Sequence, residues 1–234
     1  MDLIILVVLA VFSIVLCIVA QVKVSTSYNK YSKVMAKSGI TAKELARRIL
    51  DTAGLSHVKI ARVKGTMTDY YDPKNQIVAL SDGVMDSSSV SALGIVAHEV
   101  GHALQYKANY APMKIRSVVI TISNVMSKLM WPLLIIGVLL DIFIFANMSV
   151  GTIFIEIVLA MFIVTTILSF ITLPVEYNAS NRALKLLKET NTLDKQELVG
   201  ATAVLRSAGL TYVASFVMTL VNLLRIIYIF GHDR

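Results

Sequence analysis

The chain has 234 residues, a hydrophobic fraction of 56%, a charged fraction of 16% and a mean hydropathy of +0.72. This composition excludes an ordinary soluble domain, in which about 45–50% of residues are apolar, and its apolar blocks predict membrane spans and a lipid bilayer as partner. The single cysteine, Cys17, excludes an internal disulfide, and we attribute the net charge of +7 to a basic cytoplasmic side rather than to nucleic-acid binding.

The first predicted element is an apolar helix at the N-terminus. Residues 3–22 are long enough to cross one bilayer at about 1.5 Å per residue. A secretory signal peptide begins with basic residues and ends at a small-residue cleavage site. This chain begins Met1-Asp2 and has a poor cleavage site at 20–22, so we interpret residues 1–22 as an uncleaved transmembrane anchor.

A small mixed unit is predicted after this anchor. Thr41 and Glu44 match a capping box at the start of an amphipathic helix over residues 41–54. Weak alternation of apolar residues then predicts two strands separated by a turn. The strands are 57–63 and 76–80, and the turn is 69–73.

The next helix carries the residues with the clearest chemistry. It is predicted to begin at the cap-forming residues 86–89 and to end near Tyr106. It contains the sequence HEVGH at residues 98–102. Residues four apart lie on one face of a helix, so His98 and His102 suit two ligands of one tetrahedral zinc ion.

Glu99 follows the first of these histidines and is offset around the helix, where it can reach a water on the metal without being a ligand. The pattern H-E-x-x-H also occurs by chance, and the plain alternative is a pair of buried, hydrogen-bonded histidines. Two of the chain's four histidines occupy this pattern on a predicted helix, and we therefore favour the metal. Gly101 would let another backbone pack closely beside the second ligand.

Three further spans and their charged flanks complete the organisation. The spans are predicted roughly at 129–146, 152–173 and 208–230. Residues 23–116 carry fourteen Lys and Arg, residues 174–207 carry five, and the 147–151 hairpin carries none. The positive-inside rule therefore predicts a multi-pass protein of the cell membrane with its active site on the cytoplasmic side.

The predicted fold class is a mainly α membrane protein, with about four transmembrane helices and a zincin-like cytoplasmic unit that contains a small β-sheet. The predicted parts are an anchor (1–22), a cytoplasmic zincin-like segment with the HEVGH helix (23–127), a transmembrane hairpin (128–173), a cytoplasmic helical segment with a candidate third zinc ligand (174–207), and a transmembrane helix with a short tail (208–234).

A hydrolytic zinc site needs a third protein ligand and one open position. His232 is predicted to lie outside the membrane, whereas His57 lies on a candidate strand in the right compartment. Glu176 follows the third span directly, on a helix that Pro174 is well placed to open. It shares one helix face with small residues that would allow close packing, but spacing alone does not distinguish a ligand from an acid that favours the helix dipole.

Two sequence blocks, HEVGHALQY and the later LPVEYNASNRALKLL, together with DYYDPKNQIVALSDGV ahead of them, resemble the bacterial family of neutral zinc metallopeptidases that are membrane proteins. That family is similar in turn to the CAAX prenyl proteases and heat-shock membrane proteases. The resemblance implies Zn²⁺ held by His98, His102 and Glu176, Glu99 as general base, and an endopeptidase acting on protein or peptide substrates. In the wider group an aspartate or histidine stands four residues after the glutamate ligand, whereas this chain has Ser180. Asn178 or Arg182 could substitute for that residue.

Three alternatives stay open at this point. The strand at 76–80 could be the edge that pairs with an extended substrate, or a plain structural strand. An intramembrane protease is disfavoured, because the motif helix is flanked by polar residues. A non-catalytic membrane scaffold with a structural zinc is disfavoured by the intact Glu99, and a fourth ligand such as His57 would support it. The substrate, the oligomeric state and the groups that stabilise the transition state are not predicted, although Tyr71, Tyr177 and Arg182 can donate to an oxyanion.

Overall fold

The computed structural model describes residues 3–143 and 150–231 and is mainly helical. Seven helices and three strands follow one another along the chain: α1 (Leu3–Tyr31), α2 (Ala42–Thr52), β1 (Lys59–Val63), β2 (Tyr70–Asp72), β3 (Ile77–Ser81), α3 (Asp82–Met85), α4 (Val90–Lys107), α5 (Ala111–Phe143), α6 (Val150–Glu189) and α7 (Lys195–Gly231).

The chain divides into two compact units, which we call the helical unit and the sheet unit. The helical unit comprises Met1–Val19, Ile115–Leu173 and Tyr212–Arg234, and the sheet unit comprises Ala20–Lys114 and Pro174–Thr211.

Three described helices are long and apolar enough to cross a membrane: Ile4–Tyr31, Ile153–Glu189 and Lys195–Phe230. The remaining predicted span, 129–146, overlaps a shorter apolar helical segment, Asn124–Leu140, and its last residues lie outside the described part of the chain. Side chains of the helical unit form a core of their own. Its buried members are Met130, Leu134, Val158, Met161, Phe162 and Ile226.

The sheet unit is built around α4. Thr41 caps α2 with the predicted capping box, in which its side chain accepts from the Glu44 N–H and Glu44 reaches back to the Thr41 N–H. Ser89 caps α4 by accepting from the Ala92 N–H. The apolar face of α2 packs against α4, and the buried core of this unit includes Leu45, Ile49, Leu50, Val78, Leu80, Leu93, Val96 and Val100. Each such side chain stabilises the fold by roughly 1.5–3 kcal/mol through loss of contact with water.

The three strands have the order β1-β3-β2, with β1 parallel and β2 antiparallel to β3. Of the two alternatives for the strand at 76–80, the substrate-pairing edge is therefore wrong and the plain structural strand is confirmed, since β3 is hydrogen-bonded on both sides. The predicted turn is also partly wrong, because Tyr70–Asp72 is a strand. The turn comes directly after it, where the Asp72 carboxylate accepts from the N–H groups of Lys74 and Asn75.

Helix α6 runs without interruption through Pro174, so the prediction that this proline opens a new helix is wrong. A proline inside a helix removes one hydrogen bond. Here, apolar sequence precedes it, and Ala179 and Ala183 follow it in fully buried positions. Burial of the residues that follow Pro174 offsets the lost bond, and the boundary between the helical unit and the sheet unit falls within α6 at this proline.

Candidate metal centre

His98 and His102 project from the same face of α4, as the four-residue spacing predicts. Their ring centroids are 4.7 Å apart and the rings are nearly perpendicular, at 84°. The part of α4 that carries these residues is largely shielded from solvent. His102 is buried, and Glu99 is only 9% exposed.

Glu176 of α6 meets both histidines and is only 2% exposed. Its Oε2 atom lies 3.1 Å from His98 Nε2 and 3.7 Å from His102 Nε2. Ligands at about 2.1 Å from a tetrahedral zinc ion are separated from one another by about 3.4 Å. The two distances from Glu176 lie on either side of this value, and one ligand atom from each of the three side chains lies within 4.8 Å of the others.

Small residues bring α4 and α6 close enough for this meeting. A Cβ on Gly101 would lie 2.9 Å from the Ala179 carbonyl oxygen, a distance that real Cβ atoms do not tolerate against backbone. Ala179 and Ala183 are fully buried on the facing side of α6. The predicted roles of Gly101 and of the small-residue face of α6 are therefore confirmed.

A chain of hydrogen bonds beside His102 determines the tautomer of its ring, that is, which ring nitrogen carries the hydrogen. Arg182 Nε can only donate, so the Asn178 atom 2.8 Å from it is the amide oxygen. Gln105 Nε2 donates to that oxygen at 2.9 Å and to the Val175 carbonyl at 2.8 Å. Gln105 Oε1 therefore faces His102 Nδ1 at 2.9 Å and accepts a hydrogen bond from the Nδ1–H group. The lone pair of His102 is consequently on Nε2, the atom that faces Glu176.

Ser180 has the corresponding place behind His98, with its Oγ 3.2 Å from His98 Nδ1. Ser180 is itself the residue four positions after Glu176, so a hydroxyl occupies this position beside His98. Asn178 and Arg182, considered as its substitutes, act instead through Gln105 on the other histidine.

The other described residues considered as ligands or oxyanion donors are not part of the ligand cluster. His57 is exposed and is not part of the cluster, and His232 lies outside the described residues. Tyr71 packs edge-on against Tyr106, and burial raises the pKa of Tyr71 to about 12. Tyr177 is exposed beside Glu176.

Gln105 was missed by the sequence reasoning. The available signal was a polar residue three positions after His102, on a helix whose neighbouring positions are apolar. Gln105 is fully buried, and a buried amide requires partners for its hydrogen-bonding atoms.

Comparison with known proteins extends the similarity over nearly the whole chain. A family model described as "Putative neutral zinc metallopeptidase" matches residues 5–231. The chain is 40% identical over 216 residues to a protein of Bacillus subtilis (strain 168) named "Putative membrane protease YugP", and the alignment covers 92% of each chain. No solved structure matches the chain.

Proposed function

Because this chain belongs to the neutral zinc metallopeptidase family, which implies Zn²⁺ as cofactor, we propose that it is a membrane-embedded zinc endopeptidase that hydrolyses peptide bonds of protein or peptide substrates. The observation that carries the proposal is the convergence of His98, His102 and Glu176 within 4.8 Å. The wider similarity to CAAX prenyl proteases stays a prediction.

The donor set favours catalysis over a purely structural role. Two imidazoles and one carboxylate are a ligand set of hydrolytic zinc sites, which keep one position open for water or substrate. Among the described residues no fourth His, Cys, Asp or Glu joins the cluster. A bound zinc ion would supply Lewis acidity toward the scissile carbonyl and would lower the pKa of water.

Glu99 is the residue we assign to proton transfer. It directly follows His98 on α4 but is not one of the three clustered ligands, so its carboxylate is available as a base. The Glu99 carboxylate would accept a proton from the attacking water and would later donate it to the leaving amine nitrogen. Gln105 and Ser180 would keep the two imidazoles oriented toward Glu176.

We also propose that the site faces the cytoplasm from the cell membrane. Three helices are long and apolar enough to cross a bilayer. The sheet unit contains residues 23–114, in which thirteen of the fourteen Lys and Arg of residues 23–116 lie. Positive charge of this kind is retained on the cytoplasmic side.

Metal content per chain, measured by elemental analysis of the purified protein, tests the ligand set. About one zinc per wild-type chain is expected from a site of this type, with strong loss in Glu176→Ala. The matched control is His57→Ala, which should retain the metal because His57 is exposed and away from the cluster. Zinc retained in Glu176→Ala would contradict the ligand assignment.

Cleavage of an unfolded protein such as casein tests the reaction. Glu99→Gln should keep zinc but lose activity by a factor of about 10²–10⁴, since that is the usual contribution of a general base. Cleavage at the wild-type rate by Glu99→Gln would contradict the mechanism. A wild type that holds zinc and cleaves nothing would favour the scaffold alternative.

A further inference from the structure

A cavity of about 200 Å³ lies between α6 and α7 and adjoins the metal centre. Glu176 and Ser180 belong to its wall as well as to the centre itself. The rest of the wall comes from Tyr177, Asn181 and Leu184 of α6, and from Leu205, Arg206 and Gly209 of α7. All of these residues are in the sheet unit.

The size of the cavity indicates what it can hold. At about 30 Å³ per water molecule it has room for about six. Pockets for whole small-molecule ligands measure about 300–1,000 Å³. The cavity is therefore suited to one amino-acid side chain rather than to a complete cofactor.

Gly209 leaves the cavity open without any packing reason to be glycine. At other glycines within helices a Cβ would meet neighbours: at Gly101 it would lie 2.9 Å from backbone, at Gly200 2.7 Å from Tyr31 and at Gly94 3.5 Å from Ala201. At Gly209 it would have no neighbour within 4 Å. A glycine in a helix interior costs about 1 kcal/mol relative to alanine, so this position sacrifices stability and gains only space.

The chemistry of the wall distinguishes among side chains. Leu184 and Leu205 supply an apolar surface for a short aliphatic stem. Arg206 supplies a cation, and within the described part of the chain no carboxylate forms an ion pair with it. The only acid in the wall is Glu176, whose Oε2 is directed at the two histidines. An apolar stem with an anionic end fits this combination best.

We propose that the cavity is a specificity subsite that receives an acidic substrate side chain next to the scissile bond, with Arg206 as its charge partner and Gly209 as the residue that keeps it open. This inference depends on the proposed peptidase function. It adds a substrate class, because peptides with Asp or Glu at one fixed position relative to the cut would be preferred.

Cleavage-site profiling of a proteome-derived peptide library by the zinc-loaded wild type is the first part of the test. Acidic residues should be enriched at one position beside the cut. On peptide pairs that differ only by Glu and Gln at that position, kcat/KM should favour Glu by up to about fivefold, since Arg206 is exposed and an exposed ion pair contributes up to about 1 kcal/mol.

Variants of the wall form the second part. Arg206→Gln should abolish the Glu preference, and Arg206→Glu should shift it toward Lys. Lys195→Gln is the matched control, because it removes a positive charge from an exposed position of α7 outside the cavity wall and should leave the preference intact. Gly209→Leu should reduce kcat/KM for peptides with a large residue at that position while zinc content stays unchanged.

The outcomes separate this inference from the function it depends on. Two results would overturn the subsite alone. One is cleavage that needs Glu99 but shows no acidic preference. The other is an Arg206→Gln variant that lowers kcat/KM for all peptides by the same factor, which would mean that Arg206 binds peptide backbone. Absence of any Glu99-dependent cleavage would overturn the peptidase proposal and the subsite together.

Discussion

Replacing Gln105 by leucine tests whether the buried amide sets the orientation of His102. Leucine has a similar size but neither accepts from His102 Nδ1 nor donates to Val175 and Asn178, which Gln105 contacts at 2.8–2.9 Å. The imidazole would then lose the partner that holds its Nε2 lone pair toward Glu176. We expect weaker zinc binding although all three clustered side chains are still present.

The magnitude follows from the groups that lose partners. Loss of an outer hydrogen bond to a metal-binding histidine typically lowers affinity 10–100-fold, which is about 1.4–2.8 kcal/mol. The metal-free protein should also become less stable. His102 Nδ1–H is left without a partner, at about 1–3 kcal/mol. The Val175 carbonyl keeps its helical bond within α6, and Asn178 Oδ1 keeps its bond from Arg182.

Zinc affinity in detergent is measured by competition with a chromophoric chelator, so the result does not depend on catalytic activity. Gln196→Leu is the matched control, because Gln196 is exposed on α7. Gln105→Glu separates the two functions of the amide: it can still accept from His102 but cannot donate to α6, so stability should fall more than affinity. Wild-type zinc affinity in Gln105→Leu would refute the reasoning.

Three further substitutions probe the sheet unit. Gly101→Ala places a methyl group 2.9 Å from the Ala179 carbonyl. It should lower the free energy of unfolding by about 1–3 kcal/mol and reduce zinc content. Its control, Gly209→Ala, meets nothing within 4 Å and should be neutral or stabilising when thermal unfolding is measured. Burial raises the pKa of Asp69 in the folded state, so its contribution to stability is present below the unfolded pKa and is lost as pH rises through the folded pKa. Asp69→Asn can keep both hydrogen bonds with Ser81 and should be more stable than wild type at pH 7, with the difference shrinking on acidification; a difference that grows in acid would contradict this.

Local sequence predicts local geometry well in this chain. The capping box at Thr41 and the cap at Ser89 form as predicted, because each depends on residues three apart along the chain. The shared direction of His98 and His102 follows in the same way from the helix period.

Contacts between distant segments could not be predicted in this way. The central position of β3 in the sheet depends on β1 and β2 pairing with its two sides. The residues of β3 itself do not indicate which strands pair with it. Spacing alone also left Glu176 and His57 as competing third ligands. The difference is their burial: Glu176 is held at 2% exposure by the packing of α6 on α4, whereas His57 is exposed.

The polar groups beside the two histidines add no charge to the candidate centre. Ser180 and Gln105, which face the two Nδ1 atoms, are both neutral. A carboxylate in either place would raise the basicity of the imidazole and would add negative charge to a buried site. Here the only acid in the ligand cluster is Glu176, so the ligand set contributes a single negative charge against the two positive charges of zinc. With the Glu99 carboxylate counted as well, a loaded site would be close to neutral overall, and its positive charge would be concentrated on the metal in buried surroundings, where charge interacts strongly. That placement is suited to stabilising the negative charge that develops on a peptide carbonyl oxygen.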